Sequence, residues 1–287
     1  MIAQMIVNGL LLGGFYACIG VAFSLVYGIM GVINLAQGTQ IILGAYLTFS
    51  ICQFFKIDPF LTLPMSALIL FGVGYAIQRF IINLVGKGGV VLTSLLTFGL
   101  NLVLINIALL VWKADFRGTN PPYAGENFEV AGVTIPYVRL AVFLIAILAT
   151  VLLHWFLSRT ATGNSIHATS QNKRAAQLVG INIRHSYAIT FAISSGMAVA
   201  MGTLYVILKP VSPFSGGDLL MILFLVAVLG GLGNIPGALL GGVVMGLTDS
   251  FSVLYLGMQY QKIVMFLGFI LVLIFLPRGF FGKRFYG

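Results

Sequence analysis

Long apolar runs, broken by short polar stretches and not by regular alternation, organise this chain. A bilayer core about 30 Å thick takes roughly 20 helical residues per crossing. On that measure the runs predict crossings at about Met5–Ile29, Ile33–Phe54, Phe60–Ile82, Val90–Trp112, Tyr137–Leu157, Tyr187–Leu208, Leu219–Leu232, Pro236–Leu256 and Ile263–Leu276. The seventh is short for a full crossing, and the second and eighth are rich in Gly and Ala, as closely packed membrane helices are. Runs of this length are not the ~10-residue alternating strands of an outer-membrane barrel, and lipid offers backbone groups no partners. The pattern predicts an all-α integral membrane protein: one domain over residues 1–287, a polytopic bundle of about eight or nine transmembrane helices with Gly-rich broken or re-entrant segments.

The polar stretches orient the bundle. The segment 158–186 carries Arg159, Lys173, Arg174 and Arg184, and the tail carries Arg278, Lys283 and Arg284. Lys and Arg in short loops mark the cytoplasmic side, so both segments, and with them the C-terminus, are expected there. The loop 113–136 holds Asp115, Glu126 and Glu129, three of the six acidic residues, and is expected outside. Parity then requires the stretch between the Tyr187 span and the last span to cross an even number of times, as two helices or a re-entrant hairpin meeting at "GGLGNIPG". Nine crossings place the N-terminus outside; eight follow if the region around Asn34 is a break within one tilted element.

Two interruptions resemble each other: "GVINLAQGTQIILGAYL" (31–47) and "GGLGNIPGALLGGVVMG" (230–246). Each follows an apolar helix, places an Asn near a Gly and opens a small-residue helix. Unwound backbone at membrane depth is tolerated where it lines a cavity or is buried in protein, so Asn34, Gln37, Gly38, Asn234 and Gly237 are candidates for a translocation path. Ordinary turns plus G-x-x-x-G packing account for the same residues equally well. Thr93, Thr97 and Asn101 fall four apart on one helical face, where Thr97 and Asn101 either line the path or bond to a neighbouring helix. Asp249, an acid inside or near the end of a crossing, is a functional candidate, or caps or pairs with Lys262.

Composition excludes several functions. At 60% hydrophobic, 7% charged and a mean hydropathy of +1.08, the chain is far from the roughly 25% charged residues of soluble domains. The net charge of +9 comes from cations scattered at span ends, with no tract suited to nucleic acid. The apolar N-terminus has no Lys or Arg before Lys56, unlike a secretory signal, and reads as a permanent first span. Cys18 and Cys52 lack ligand spacing and read as buried thiols. His154, His167 and His185 lie at or in the 158–186 loop without H-E-x-x-H or G-x-S-x-G, so neither a catalytic nor a metal site is expected. "GLGNIPG" lacks the spacing of a dinucleotide fingerprint, and without a G-x-x-x-x-G-K-[ST] motif no cofactor is expected in this chain.

Within the basic loop, "ATSQNKRAAQLVGINIRHS" predicts a helix of about two turns, capped by Ser170 or Asn172 and stopped by Gly180. Ala175, Leu178 and Val179 follow a helical apolar pattern, with Lys173 and Gln177 on another side. So short a helix is unstable alone and must dock on the membrane, the bundle or a partner.

This string resembles the coupling loop of ATP-binding-cassette importer permeases, and the whole chain is similar to the branched-chain amino-acid (Liv-type) permease family. The likeness is carried, in the expected order, by "GLLLGGFYACIGVAFSLVYGIMGVINLAQGTQIILGAY", "NKRAAQLVGINIRHSYAITFAISSGMAVAMGTLY" and "GGLGNIPGALLGGVVMGLTDS". Two departures stand out: Arg174 precedes Ala175 and Ala176 where the family is often acidic, and Gln37 precedes Gly38 where it commonly has His. The resemblance implies a coupling loop of Ser170, Asn172, Lys173, Arg174, Ala175, Ala176, Leu178 and Gly180 inserted into a partner ATPase. It further implies a second permease subunit, two cytoplasmic ATPases that bind the ATP and Mg, an external solute-binding protein and a bacterial-type inner membrane. Few charges along the spans disfavour a highly charged solute; an aliphatic amino acid is expected from the resemblance, with urea or short amides, or a carrier or channel without an ATPase, as alternatives.

Overall fold

A computed structural model describes residues 2–85, 89–130, 132–276 and 279–281. Its helices are α1 (Ile2–Met30), α2 (Gln37–Phe55), α3 (Pro59–Ala76), α4 (Asn83–Val85), α5 (Gly89–Trp112), α6 (Tyr137–Arg159), α7 (Ala161–Gln171), α8 (Lys173–Leu178), α9 (Ile183–Leu208), α10 (Ser215–Gly230), α11 (Ile235–Leu256) and α12 (Gln261–Phe275). A π turn, Ile77–Ile82, joins α3 to α4, and an antiparallel hairpin, β1 (Asn127–Val130) and β2 (Val133–Pro136), precedes α6.

Side-chain contacts fix the direction of each pass. Gln4 at the start of α1 donates to the Thr134 carbonyl of the hairpin (2.7 Å), and Asp58, just after α2, accepts from Tyr123 of the same loop (2.6 Å). The start of α1 and the end of α2 therefore share the hairpin end, and residues 31–36 reverse the chain between two antiparallel helices. A single tilted element over this region is ruled out. Trp112 at the end of α5 reaches Ser50 of α2, and the backbone after α9 pairs Val211 with Arg117 at that same end. Ser250 of α11 bonds to the Met5 carbonyl of α1, which brings α11 back to the hairpin end. The described residues thus make nine passes, with α7 and α8 at the opposite, basic-loop end.

Seven passes are long and apolar enough to span a membrane; α10 and α12, at 16 and 15 residues, are the short ones. The even number of passes expected around "GGLGNIPG" is met by α10 and α11. α10 begins four residues before the predicted Leu219, while α2 begins at Gln37, leaving Asn34 outside it.

Helices apolar all round belong in the interior. Every residue from Gly13 to Val26 of α1 and from Ala198 to Ile207 of α9 is buried. α3 and α5 instead turn Leu61, Leu68, Val91, Leu95 and Leu110 outward, the surface that lipid covers. α1 packs on α11 at backbone distance: a Cβ on Gly242 or Gly246 would collide with the backbone of Ala17 or Gly13. Without a hydrophobic drive between helices in lipid, such close van der Waals contact is what holds them. Cys18 is buried, Cys52 partly buried, and both are free. Arg278, Lys283 and Arg284 lie outside the described residues.

Candidate translocation path and coupling loop

The basic loop is more helical than its sequence suggests. α7 fills 161–171 behind a Thr160 cap whose hydroxyl accepts from Gly163 N–H (3.0 Å). Ser170, expected as a possible cap for the next helix, sits in the last turn of α7 and donates to the His167 carbonyl. Asn172 is the cap: its Oδ1 accepts from Ala175 N–H at 3.0 Å. Gly180, at φ +86°, stops α8 in the left-handed region that favours glycine. Only Ala176 of α8 turns inward; Lys173, Arg174 and Ala175 are exposed, and Leu178 and Val179 are 88% and 77% exposed. The expected stripe of Ala175, Leu178 and Val179 is therefore bare in this chain.

The first break lies deep in the bundle. Gly31, at φ +68°, ends α1, and the Asn34 side chain accepts from Ala36 N–H (3.1 Å) to form the turn. Thr97 of α5 holds this turn: its hydroxyl accepts from Leu35 N–H (3.2 Å) and lies 3.1 Å from the Ile33 carbonyl. One turn on, Thr39 donates to Asn101 Oδ1 (2.5 Å). Thr97 and Asn101 thus pin α5 to the break. Gly38 lies where any side chain would strike α10 at Gly216 and Leu220. Ser195 of α9 donates to Gln40 Oε1 (3.3 Å). Asn34, Gln37 and Gln40 are all buried, and Asn34 Nδ2, Gln40 Nε2 and both amide atoms of Gln37 have no hydrogen-bond partner among the described residues. An unsatisfied buried polar group costs about 1–3 kcal/mol, so a cluster of them is costly for the fold alone to keep.

The second break sits nearer the basic-loop end. Asn234 caps α11, its Oδ1 accepting from Gly237 N–H (3.0 Å) and its Nδ2 donating to the Phe281 carbonyl (3.0 Å). Gly237 presses on the backbone of Gly230, so α10 and α11 meet without side chains between them. The last turns of α1, which lead into the first break, touch the second: a Cβ on Gly28 would lie 2.8 Å from the Gly233 carbonyl oxygen. Asn234 also lines a cavity of about 1070 Å³ with His154, His167 and Ser170.

A second cavity, about 650 Å³, opens at the hairpin end between α1, α6, α9, α11 and α12. Its walls carry Asp249, Arg139 and Lys209. Asp249 is 2% exposed and accepts from Tyr16 Oη (2.7 Å) and from Gln261 Nε2. The expected pairing with Lys262 does not form, because Lys262 bonds to Asp218 (2.8 Å). Asp249 was legible from its sequence as a lone acid in an apolar run; Tyr16, Gln261, Arg139 and Lys209 join it only through packing of distant helices. Outside the spans, burial and the hydrogen bond to Asp58 raise the Tyr123 phenol above its ordinary value of 10.

Residues 5–273 match the family model described as "Branched-chain amino acid transport system / permease component". The chain is 31% identical to the high-affinity branched-chain amino acid transport system permease protein BraD of Pseudomonas aeruginosa, over 98% of this chain and 95% of that one. It has the same identity and coverage with LivH of Escherichia coli, a protein of the same description. A weaker likeness, 26% over 73% of this chain and 64% of the other, links it to the D-allose transport system permease protein AlsC of Escherichia coli. With a multi-pass helical bundle and a match along nearly its whole length, the chain belongs to the branched-chain amino acid permease family.

Proposed function

We propose that this permease is the membrane subunit of an ATP-driven importer of branched-chain or related aliphatic amino acids. It sits in a bacterial-type inner membrane with the hairpin end outside and the basic loop and C-terminus in the cytoplasm. The observation that carries the reading is α8, a capped two-turn helix at the basic-loop end whose apolar residues Leu178 and Val179 the chain itself leaves uncovered. A helix too short to stand alone in water gains from a partner groove, and an ATPase supplies one. ATP and Mg are bound by that ATPase; a second permease subunit and an external solute-binding protein complete the assembly.

α7 and α8 carry the motion inward. α7 packs on α1, α6 and α9, so a push on α8 reaches the helices that border both breaks. The unpartnered amides of Asn34, Gln37 and Gln40 form the path, since a polar solute passing there supplies the hydrogen bonds they lack. The names of the BraD and LivH relatives favour branched-chain amino acids as the solute.

A cysteine placed at Ala175 is expected to cross-link to the co-expressed ATPase, and replacing 173–180 by a Gly/Ser tether is expected to abolish uptake while the bundle still assembles. Full-rate uptake with the tether, or uptake without any ATPase, refutes the importer reading and favours a self-contained carrier.

A further inference from the structure

We infer that the hairpin-end cavity is a binding site for a zwitterionic α-amino acid, its ammonium held at Asp249 and its carboxylate at Arg139 and Lys209. The inference rests on the amino-acid permease reading above and locates a solute site within it.

Among the described residues, no ion pair joins the charged side chains on this cavity. Asp249 is buried, yet its two hydrogen-bond donors, Tyr16 and Gln261, are neutral, and no cation lies within salt-bridge distance of it among the described residues. Among the described residues, Arg139 bonds only to the neutral Asn8 side chain (3.3 Å), and the Lys209 ammonium lies 4.9 Å over the Tyr205 ring with no carboxylate in salt-bridge range. A buried charge without a partner is expensive, and an ionisable side chain at membrane depth marks a functional site by default. A carboxylate has about four acceptor positions, so Asp249 retains acceptors for an ammonium after Tyr16 and Gln261 are served. Those two donors orient it, as a site built to receive one charged group requires.

The rest of the cavity fits the rest of such a molecule. Leu11, Phe15 and Val142 supply an apolar wall for an aliphatic side chain, and Phe15 is stiffened by stacking on Tyr205 (5.4 Å between centroids). The volume of about 650 Å³ lies within the roughly 300–1,000 Å³ usual for small-molecule sites. A neutral sugar would form an ion pair with none of the three, whereas a zwitterion pairs each sign. Two cations against one anion also favour a ligand whose carboxylate is accessible from the open end, where Arg139 and Lys209 are exposed.

The test is equilibrium binding of tritiated L-leucine to the full chain in lipid nanodiscs. Leucine is expected to bind, and Asp249→Asn and the double variant Arg139→Gln/Lys209→Gln are each expected to weaken it by about tenfold or more. 3-Methylbutylamine, which lacks the carboxylate, and 4-methylpentanoate, which lacks the ammonium, are each expected to compete at least about tenfold less well than leucine. The double variant changes only exposed side chains, so it decides the matter if Asp249→Asn misfolds. Wild-type binding in either variant, equal competition by either analogue, or no binding by the wild type overturns the proposal. Binding is read without an ATPase, so failure here leaves the coupling experiment intact, and loss of ATPase dependence leaves this site standing.

Discussion

Asn172, Asp58 and Tyr123 show how single side chains set the two ends of the bundle. Asn172 satisfies a backbone N–H that the first turn of α8 otherwise leaves open. Replacing it with Ala is expected to cost about 1 kcal/mol of local stability, seen as faster amide exchange across 173–178 with the spans unchanged. Asp58 does two jobs: Oδ1 accepts from Phe60 N–H (2.8 Å) to cap α3, and Oδ2 accepts from Tyr123. Because burial and that bond raise the Tyr123 phenol, the folded chain keeps a proton that the unfolded chain releases near pH 10. The stabilisation is fully present below about pH 10 and is lost as pH rises through the higher folded value. The difference between the ultraviolet titrations of the wild type and Tyr123→Phe is expected to show the Tyr123 phenol ionising above the exposed tyrosines, and Asp58→Ala is expected to lower it. A Tyr123 that titrates with the exposed tyrosines would refute the coupling to Asp58.

Between elements, glycine decides which helices touch. Gly242 and Gly246 of α11 face Ala17 and Gly13 of α1 with no room for a Cβ, while Gly72 of α3 has nothing within 4 Å. Gly246→Leu is therefore expected to force α1 and α11 apart at a cost of about 1–3 kcal/mol or more, lowering the midpoint of thermal unfolding in detergent. Gly72→Ala is expected to be neutral or to stabilise by up to about 1 kcal/mol through helix propensity. Equal effects of the two would show that the α1–α11 contact is not close. The G-x-x-x-G spacing was visible in the sequence, but its partner was not: periodicity names a face and leaves open which helix that face meets. The same holds for Thr97 and Asn101, whose shared face was legible and whose partner, the turn at 33–39, was not.

At the scale of the bundle, the nine passes of the described residues put the hairpin and the basic loop at opposite ends. With Cys52 replaced by Ser and Cys18 buried, single cysteines at Glu129 and Lys173 are expected to react with a membrane-impermeant maleimide from opposite sides of sealed vesicles. Labelling of both from one side would overturn the topology. The arrangement also separates two cavities: about 650 Å³ with Asp249 at the hairpin end and about 1070 Å³ with Asn234 at the basic-loop end. The buried amides of the first break line neither of these two cavities, whereas Gly28 and Gly233 lie in the wall of the larger one.

What this chain's sequence determined by itself was its solvent and its punctuation. Apolar runs of crossing length, cations in one loop and acids in another, and Gly–Asn breaks are one-dimensional signals, because hydrophobicity, charge and backbone freedom act residue by residue. The short helix at 173–178 was legible for that reason, since Asn172 and Gly180 act within a turn of it. The tertiary structure alone decided that residues 31–36 reverse the chain, that α7 exists as a separate helix in a polar loop, and that Lys262 serves Asp218 and leaves Asp249 to Tyr16 and Gln261. Tyr16 and Asp249 are 233 residues apart. No local pattern records such a meeting, because it depends on how several helices share the interior and on which backbones glycine lets approach.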